Sequence, residues 1–143
     1  MADEVSIRNS LQISDSPLDY RSQPTQFLGD IVAANPKGPC PGAITVAVAG
    51  TDVDFSELTT PGYCRLQNLD DTNFVTYGIW DPEGGVFYPL GEILAGETYV
   101  LRLSRDLAWE YGTGTGTSGA ETNTLRFKAD TASLVVLIEA FEA

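Results

Sequence analysis

The chain has no histidine, two cysteines, and only eight lysines and arginines against twenty aspartates and glutamates, over 143 residues. Each scarcity closes a class of function. Without histidine, the commonest metal ligand and the commonest general base are missing. A net charge of −12 repels phosphate backbones and anionic membranes, so neither nucleic acid nor membrane is an expected partner. The few cations are scattered; Arg102 with Arg105 and Arg126 with Lys128 are the only close neighbours. No apolar run approaches the ~20 residues of a membrane helix. The N-terminal residues MADEVSIRNS lack the basic and apolar regions of a secretory signal, so synthesis in the cytosol is expected. The cytosol favours free thiols at Cys40 and Cys64, and their spacing alone decides nothing about pairing.

What is present is a punctuated series of short apolar runs rich in β-branched and aromatic residues. From Thr60 to Leu103 there are four: Tyr63–Leu69, Asn73–Trp80, Val86–Leu90 and Thr98–Leu103. Each ends in a turn signal, such as Asp70-Asp71, Asp81-Pro82-Glu83-Gly84-Gly85 or Ala95-Gly96. Runs of this kind predict strands, here expected as an antiparallel meander. Ala43–Ala49 adds a strand with Ile44, Val46 and Val48 on one face, and Thr124–Ala129 adds another. The unbroken apolar run Leu134–Ile138 predicts a last strand buried on both faces. No amphipathic helix of three turns is evident. The expectation is an all-β antiparallel sandwich with jelly-roll-like connections and an extended N-terminal arm.

The arm is assigned to residues 1–42 and the sandwich to 43–143. Within the arm, Val5, Ile7, Leu11 and Ile13 alternate on one face of a predicted strand. A strand so close to a terminus needs tying down, by its own sheet or a neighbouring subunit. Ser14–Thr25, with two prolines, reads as an extended connector, followed by a short strand near Gln26–Val32. Asn35–Gly42 carries three prolines and reads as a loop excluded from helix and from central strand.

The carboxylates invite two chemical readings. Paired acids serve glycoside hydrolysis, but twenty carboxylates supply pairs by chance, and most of these lie at turns where Asp bonds to backbone N–H groups. Asp52-Val53-Asp54 and Asp70-Asp71 lack the spacing of an EF-hand loop. The Gly112–Gly119 stretch, glycine alternating with threonine, lacks the lysine and following helix of a phosphate loop. The chain is therefore expected to be neither an enzyme nor a cofactor binder. Candidate partner contacts are Val5, Ile7, Leu11, Ile13, Tyr20, Phe27, Trp109 and Tyr111. Trp80 and Trp109 are the positions where a sugar ring would stack.

Several segments carry a resemblance. Asn68-Leu69-Asp70-Asp71-Thr72-Asn73 leads to Tyr77-Gly78; Ala95-Gly96-Glu97 then precedes a strand ending in an arginine, Arg102-Leu103; and the chain closes on Phe127-Lys128-Ala129-Asp130-Thr131-Ala132-Ser133-Leu134. Together these resemble small virion proteins of tailed bacteriophages, in particular capsid decoration or cement proteins. Residues 1–42 fall outside the match, and the Gly-Thr repeat is longer than the pattern. The resemblance implies a β-sandwich on the outer capsid surface that bridges neighbouring major capsid protein subunits as a homo-oligomer, a dimer or trimer. It leaves open a neck or tail-associated adaptor, and the aromatics leave open a surface carbohydrate-binding module.

Overall fold

A computed structural model of the chain describes residues 5–15, 17–31, 36–104 and 124–142. It is all-β, with no helix among the described residues. The chain forms two compact units, residues 1–34 and 35–143; the cut lies eight residues before the expected one. The second unit is a sandwich of eight strands: β5 (Cys40–Val46), β6 (Thr51–Asp52), β7 (Pro61–Asn68), β8 (Val75–Asp81), β9 (Val86–Ile93), β10 (Thr98–Arg102), β11 (Thr124–Ala129) and β12 (Leu134–Glu142). They pair antiparallel in two four-stranded sheets, ordered β10-β7-β12-β5 and β6-β11-β8-β9.

The pairing is nested. β8 pairs with β9, β7 with β10, β6 with β11 and β5 with β12. One long antiparallel ribbon, with the Pro82–Gly85 loop at its tip, has thus been folded so that successive strand pairs alternate between the sheets. That is the jelly-roll arrangement. The expected strands are all present, but the meander is not: β7 does not pair with β8, nor β9 with β10. The reason lies in the connections. Residues 69–74 and 94–97 are corners that carry the chain from one sheet to the other, not hairpin turns.

The corner after β7 is built around Asn68, which is fully buried. Its Nδ2 donates to the carbonyls of Asn73 (2.8 Å) and Ile93 (3.2 Å), and its Oδ1 accepts from the Asp70 N–H (3.0 Å). Asp70 Oδ1 accepts in turn from the N–H groups of Asn73 (2.6 Å) and Thr72 (2.8 Å). Those two donors, Asn73 first, hold the Asp70 carboxyl below its ordinary range. The second corner docks on the first. The Asp70 carbonyl accepts from the Gly96 N–H (3.0 Å), and the Glu97 carbonyl accepts from the Asn68 N–H (3.0 Å). Gly96 sits at φ +72°, where a side chain is strained. Glu97 Oε2 closes the turn by accepting from the Leu94 N–H (2.8 Å).

The core lies between the sheets. Val46, Leu66, Val75, Ile93, Phe127, Val136 and Ile138 are wholly buried there, with Phe55 from the β6–β7 connection. Each such side chain contributes about 1.5–3 kcal/mol relative to exposure. β12 corrects the expectation of two buried faces. Leu134, Val136, Ile138 and Ala140 are buried, while Val135 and Phe141 are 38% and 37% exposed. Only one face of an antiparallel sheet meets the core, so even an unbroken apolar run is sorted by the two-residue period. Val48, expected beside Ile44 and Val46, lies past the end of β5 and is exposed. β5 also begins at Cys40, inside the expected loop; with Pro41 in register with Glu139, it occupies the edge that a proline requires.

The first unit is a ribbon of four strands: β1 (Val5–Asn9), β2 (Gln12–Asp15), β3 (Leu18–Arg21) and β4 (Thr25–Gly29). β2 pairs with β3, and β1 with β4, so this unit too is a nested hairpin. The expected connector over Ser14–Thr25 is corrected: Leu18–Arg21 is a strand, because the proline at position 17 falls in the two-residue loop between Asp15 and Leu18 and interrupts no ladder.

Candidate functional site

Several of the described carboxylates bond to nearby backbone or side-chain groups. Asp54 accepts from the Ser56 N–H (2.8 Å) and Asp81 from the Gly84 N–H (3.1 Å), as turn residues do. Asp52 forms a two-point ion pair with Arg126, through Nε to Oδ1 (2.5 Å) and Nη2 to Oδ2 (2.8 Å). The same guanidinium lies 3.7 Å over the Trp80 ring, so one face of this indole is already stacked. No group of three or more His, Cys, Asp and Glu is placed to hold a metal among the described residues. Glu142 is buried at the end of β12 and accepts from the N–H groups of Thr59 (2.8 Å) and Lys37 (3.2 Å). The Thr59 N–H, and after it the Lys37 N–H, outweigh burial and hold its carboxyl below the ordinary range. It anchors the chain on either side of β5 and is structural.

The thiols are also structural. Cys40 and Cys64 are free and buried. Both stand in register with Ala140, one on each side of β12. Two inter-strand spacings, about 9.5 Å in all, separate them, beyond the reach of a disulfide. Burial, helped by the Glu139 charge, pushes the Cys64 thiol up to about 12, and burial also raises Cys40.

The ribbon is where the partner candidates meet. β1 and β4 set Ile7 opposite Phe27 and Val5 opposite Gly29; β2 and β3 set Ile13 opposite Tyr20. Between these ladders two residues on one side, Ser10 and Leu11, face three on the other, Ser22, Gln23 and Pro24, a bulge that shifts the register by one. The extra residue restores the parity, so Val5, Ile7, Ile13, Tyr20 and Phe27 share one side of the ribbon. Ser6, Arg8, Gln12, Ser14, Asp19, Arg21 and Gln26 alternate onto the other, with Leu28 as its one exposed large apolar side chain among the described residues. Leu11 departs from expectation. It lies opposite the bulged segment and in no strand, where its N–H donates to Ser22 Oγ (2.7 Å) and its carbonyl accepts from the Ser22 N–H (2.8 Å). Val5, Ile7 and Ile13 are half-buried; Leu11, Tyr20 and Phe27 are 56%, 51% and 51% exposed. Trp109, Tyr111 and the Gly112–Gly119 stretch lie outside the described residues.

No side chain described in the ribbon is buried. A two-stranded hairpin without a core is marginally stable at best in water, and this one holds a row of large apolar groups on one side. Sequence inspection named every member of that row as a candidate contact, but placed only Val5, Ile7 and Ile13 on a common face. It missed the strand that carries Tyr20, because two prolines within eight residues masked the alternation of Leu18-Asp19-Tyr20-Arg21.

No known protein family, no curated protein and no solved structure matches the chain.

Proposed function

We propose that this chain is a structural protein of a tailed-bacteriophage virion, which decorates the capsid by bridging neighbouring major capsid subunits. The observation that carries the reading is the amphipathic ribbon of residues 5–29. It exposes Leu11 and Tyr20 and buries none of its described side chains, so it gains most by laying its apolar side on another surface. An acidic sandwich, several of whose carboxylates bond to turn N–H groups, suits the outside of a shell, away from packaged DNA. Each contact is small, and the symmetry of a lattice multiplies it. The resemblance adds the setting. Its most specific residues, Asn68, Asp70, Asn73, Gly96 and Glu97, are those that build the two corners, so the motif speaks first for the sandwich. The carbohydrate reading draws no support from Trp80, which is half-buried with one ring face under Arg126.

The test is occupancy on shells. The full chain carrying Leu11→Asp and Tyr20→Asp keeps its sandwich and is expected to lose shell binding. Full decoration by this variant would refute the ribbon as the docking element. Copies per virion, counted by quantitative mass spectrometry against the major capsid protein, are expected near the shell protein's own number. A single ring's worth would move the protein to the neck or tail, and absence from virions would end the structural reading.

A further inference from the structure

Of the ten exposed large hydrophobics among the described residues of the sandwich, six lie on β9, β10 and the turn between them: Val86, Tyr88, Leu90, Leu94, Tyr99 and Val100. β10 is the last strand of its sheet. Its hydrogen-bonding parity can be read from its ends. The Leu103 N–H donates to the Gly62 carbonyl, and the Glu97 carbonyl accepts from the Asn68 N–H. Odd residues of β10 therefore face β7, and the N–H and C=O groups of Thr98, Val100 and Arg102 point away from the sheet.

Each of the other three sheet edges carries a device against strand addition. β5 has Pro41 and β6 is two residues long. β9 has Pro89 and an extra residue, Leu90, between the pairs Tyr77–Gly91 and Gly78–Pro89. β10, Thr98-Tyr99-Val100-Leu101-Arg102, has no proline, glycine or carboxylate, and runs in unbroken register with β7.

We infer that β10 is the interface between two copies of this chain, pairing antiparallel with its own counterpart about a two-fold axis at Val100. In that register Thr98 faces the partner's Arg102, and Val100 faces its copy. On the core side Tyr99 faces the partner's Leu101, twice by symmetry, an aromatic–aliphatic pairing of the kind that stabilises antiparallel sheets. No like charges meet: Arg102 faces threonine, and Glu97, next to the strand, faces the partner's Leu103. A segment that completes six backbone groups with no partner among the described residues, covers its own exposed Tyr99 and Val100 and opposes no charge to itself is self-complementary, which is what an isologous interface requires. The two four-stranded sheets then become one of eight. The dimer rests on the sandwich alone and stands or falls independently of any shell.

The test uses the full chain in free solution. Sedimentation equilibrium is expected to give a dimer. Val100→Glu places a carboxylate beside Arg65, its register neighbour within the protomer, and opposite its own copy across the axis. Self-association is expected to weaken at least about tenfold with the protomer's melting temperature preserved. Val135→Glu, on the exposed face of β12, leaves the dimer intact. Val100→Cys adds the one exposed thiol to a protein whose native cysteines are buried. At the axis its Cα atoms would lie about 5.5 Å apart, within disulfide range, so mild oxidation is expected to yield a covalent dimer, and Val135→Cys none. A monomeric or trimeric wild type, a dimer indifferent to Val100→Glu, or a dimer that Val100→Cys fails to cross-link overturns the inference.

Discussion

Replacing Asn68 by alanine removes the clamp that turns the chain from one sheet to the other. Three hydrogen bonds go with it, and they leave the carbonyls of Asn73 and Ile93 and the N–H of Asp70 without that partner. A typical hydrogen bond contributes about 0.5–1.5 kcal/mol net, and a buried group left unsatisfied costs about 1–3 kcal/mol. The Asn73 and Asp70 ends are only partly buried, so water recovers part of the loss there. The Ile93 carbonyl, with the side chain beside it wholly buried, pays in full. The total is about 3 kcal/mol, a large fraction of the ~5–15 kcal/mol that holds a domain together. Urea unfolding of the full chain, followed by tryptophan fluorescence and far-ultraviolet circular dichroism together, measures it. The expected result is a lower midpoint with the slope unchanged. Hydrogen exchange should show lost protection first at the N–H groups of Asp70, Asn73 and Gly96, which the corner holds. A loss below about 1 kcal/mol would mean that backbone contacts alone set the corner, and the assignment of Asn68 as its clamp would fail.

Two further outcomes follow from the packing and the titrating groups. A Cβ built on Gly78 would overlap the Tyr88 carbonyl oxygen and lie 2.9 Å from Pro89 Cα; Gly78→Ala is therefore expected to destabilise by about 2–4 kcal/mol, within the range of severe backbone and overpacking changes, and a midpoint unchanged in urea would show that the bulge at Leu90 can move aside. The depressed carboxyl of Glu142 contributes stability that is present above the ordinary carboxylate range and is lost as pH falls through its folded value; Glu142→Gln should flatten the acid limb of the stability curve while lowering stability at neutral pH, and an unchanged acid limb would refute the role given to its Thr59 and Lys37 contacts.

Strand positions were legible because burial imposes a period of two and because turn chemistry is local. Tyr63–Leu69, Asn73–Trp80, Val86–Leu90 and Thr98–Leu103 each fall on an observed strand within a few residues. Which strand pairs with which was not legible. A corner and a hairpin turn use the same Asn, Asp and Gly, and the difference lies in whether Asn68 can reach Ile93, twenty-five residues on. The ribbon divides in the same way. Val5, Ile7 and Ile13 announced a face through their alternation, whereas Tyr20 and Phe27 joined it only through a bulge that changes parity in one strand and not the other.

The sequence by itself determined an all-β chain, its acidity, its lack of histidine chemistry and the spacing of its turns, because these are properties of composition and of neighbours a few residues apart. The tertiary structure alone decided the nested pairing of β5 through β12, the separation of Cys40 from Cys64 by the width of a strand, and the place of β10 at the edge of its sheet. Each of these depends on contacts between residues far apart in the chain. Such contacts are selected by the joint burial of both sheet faces, which no local pattern encodes.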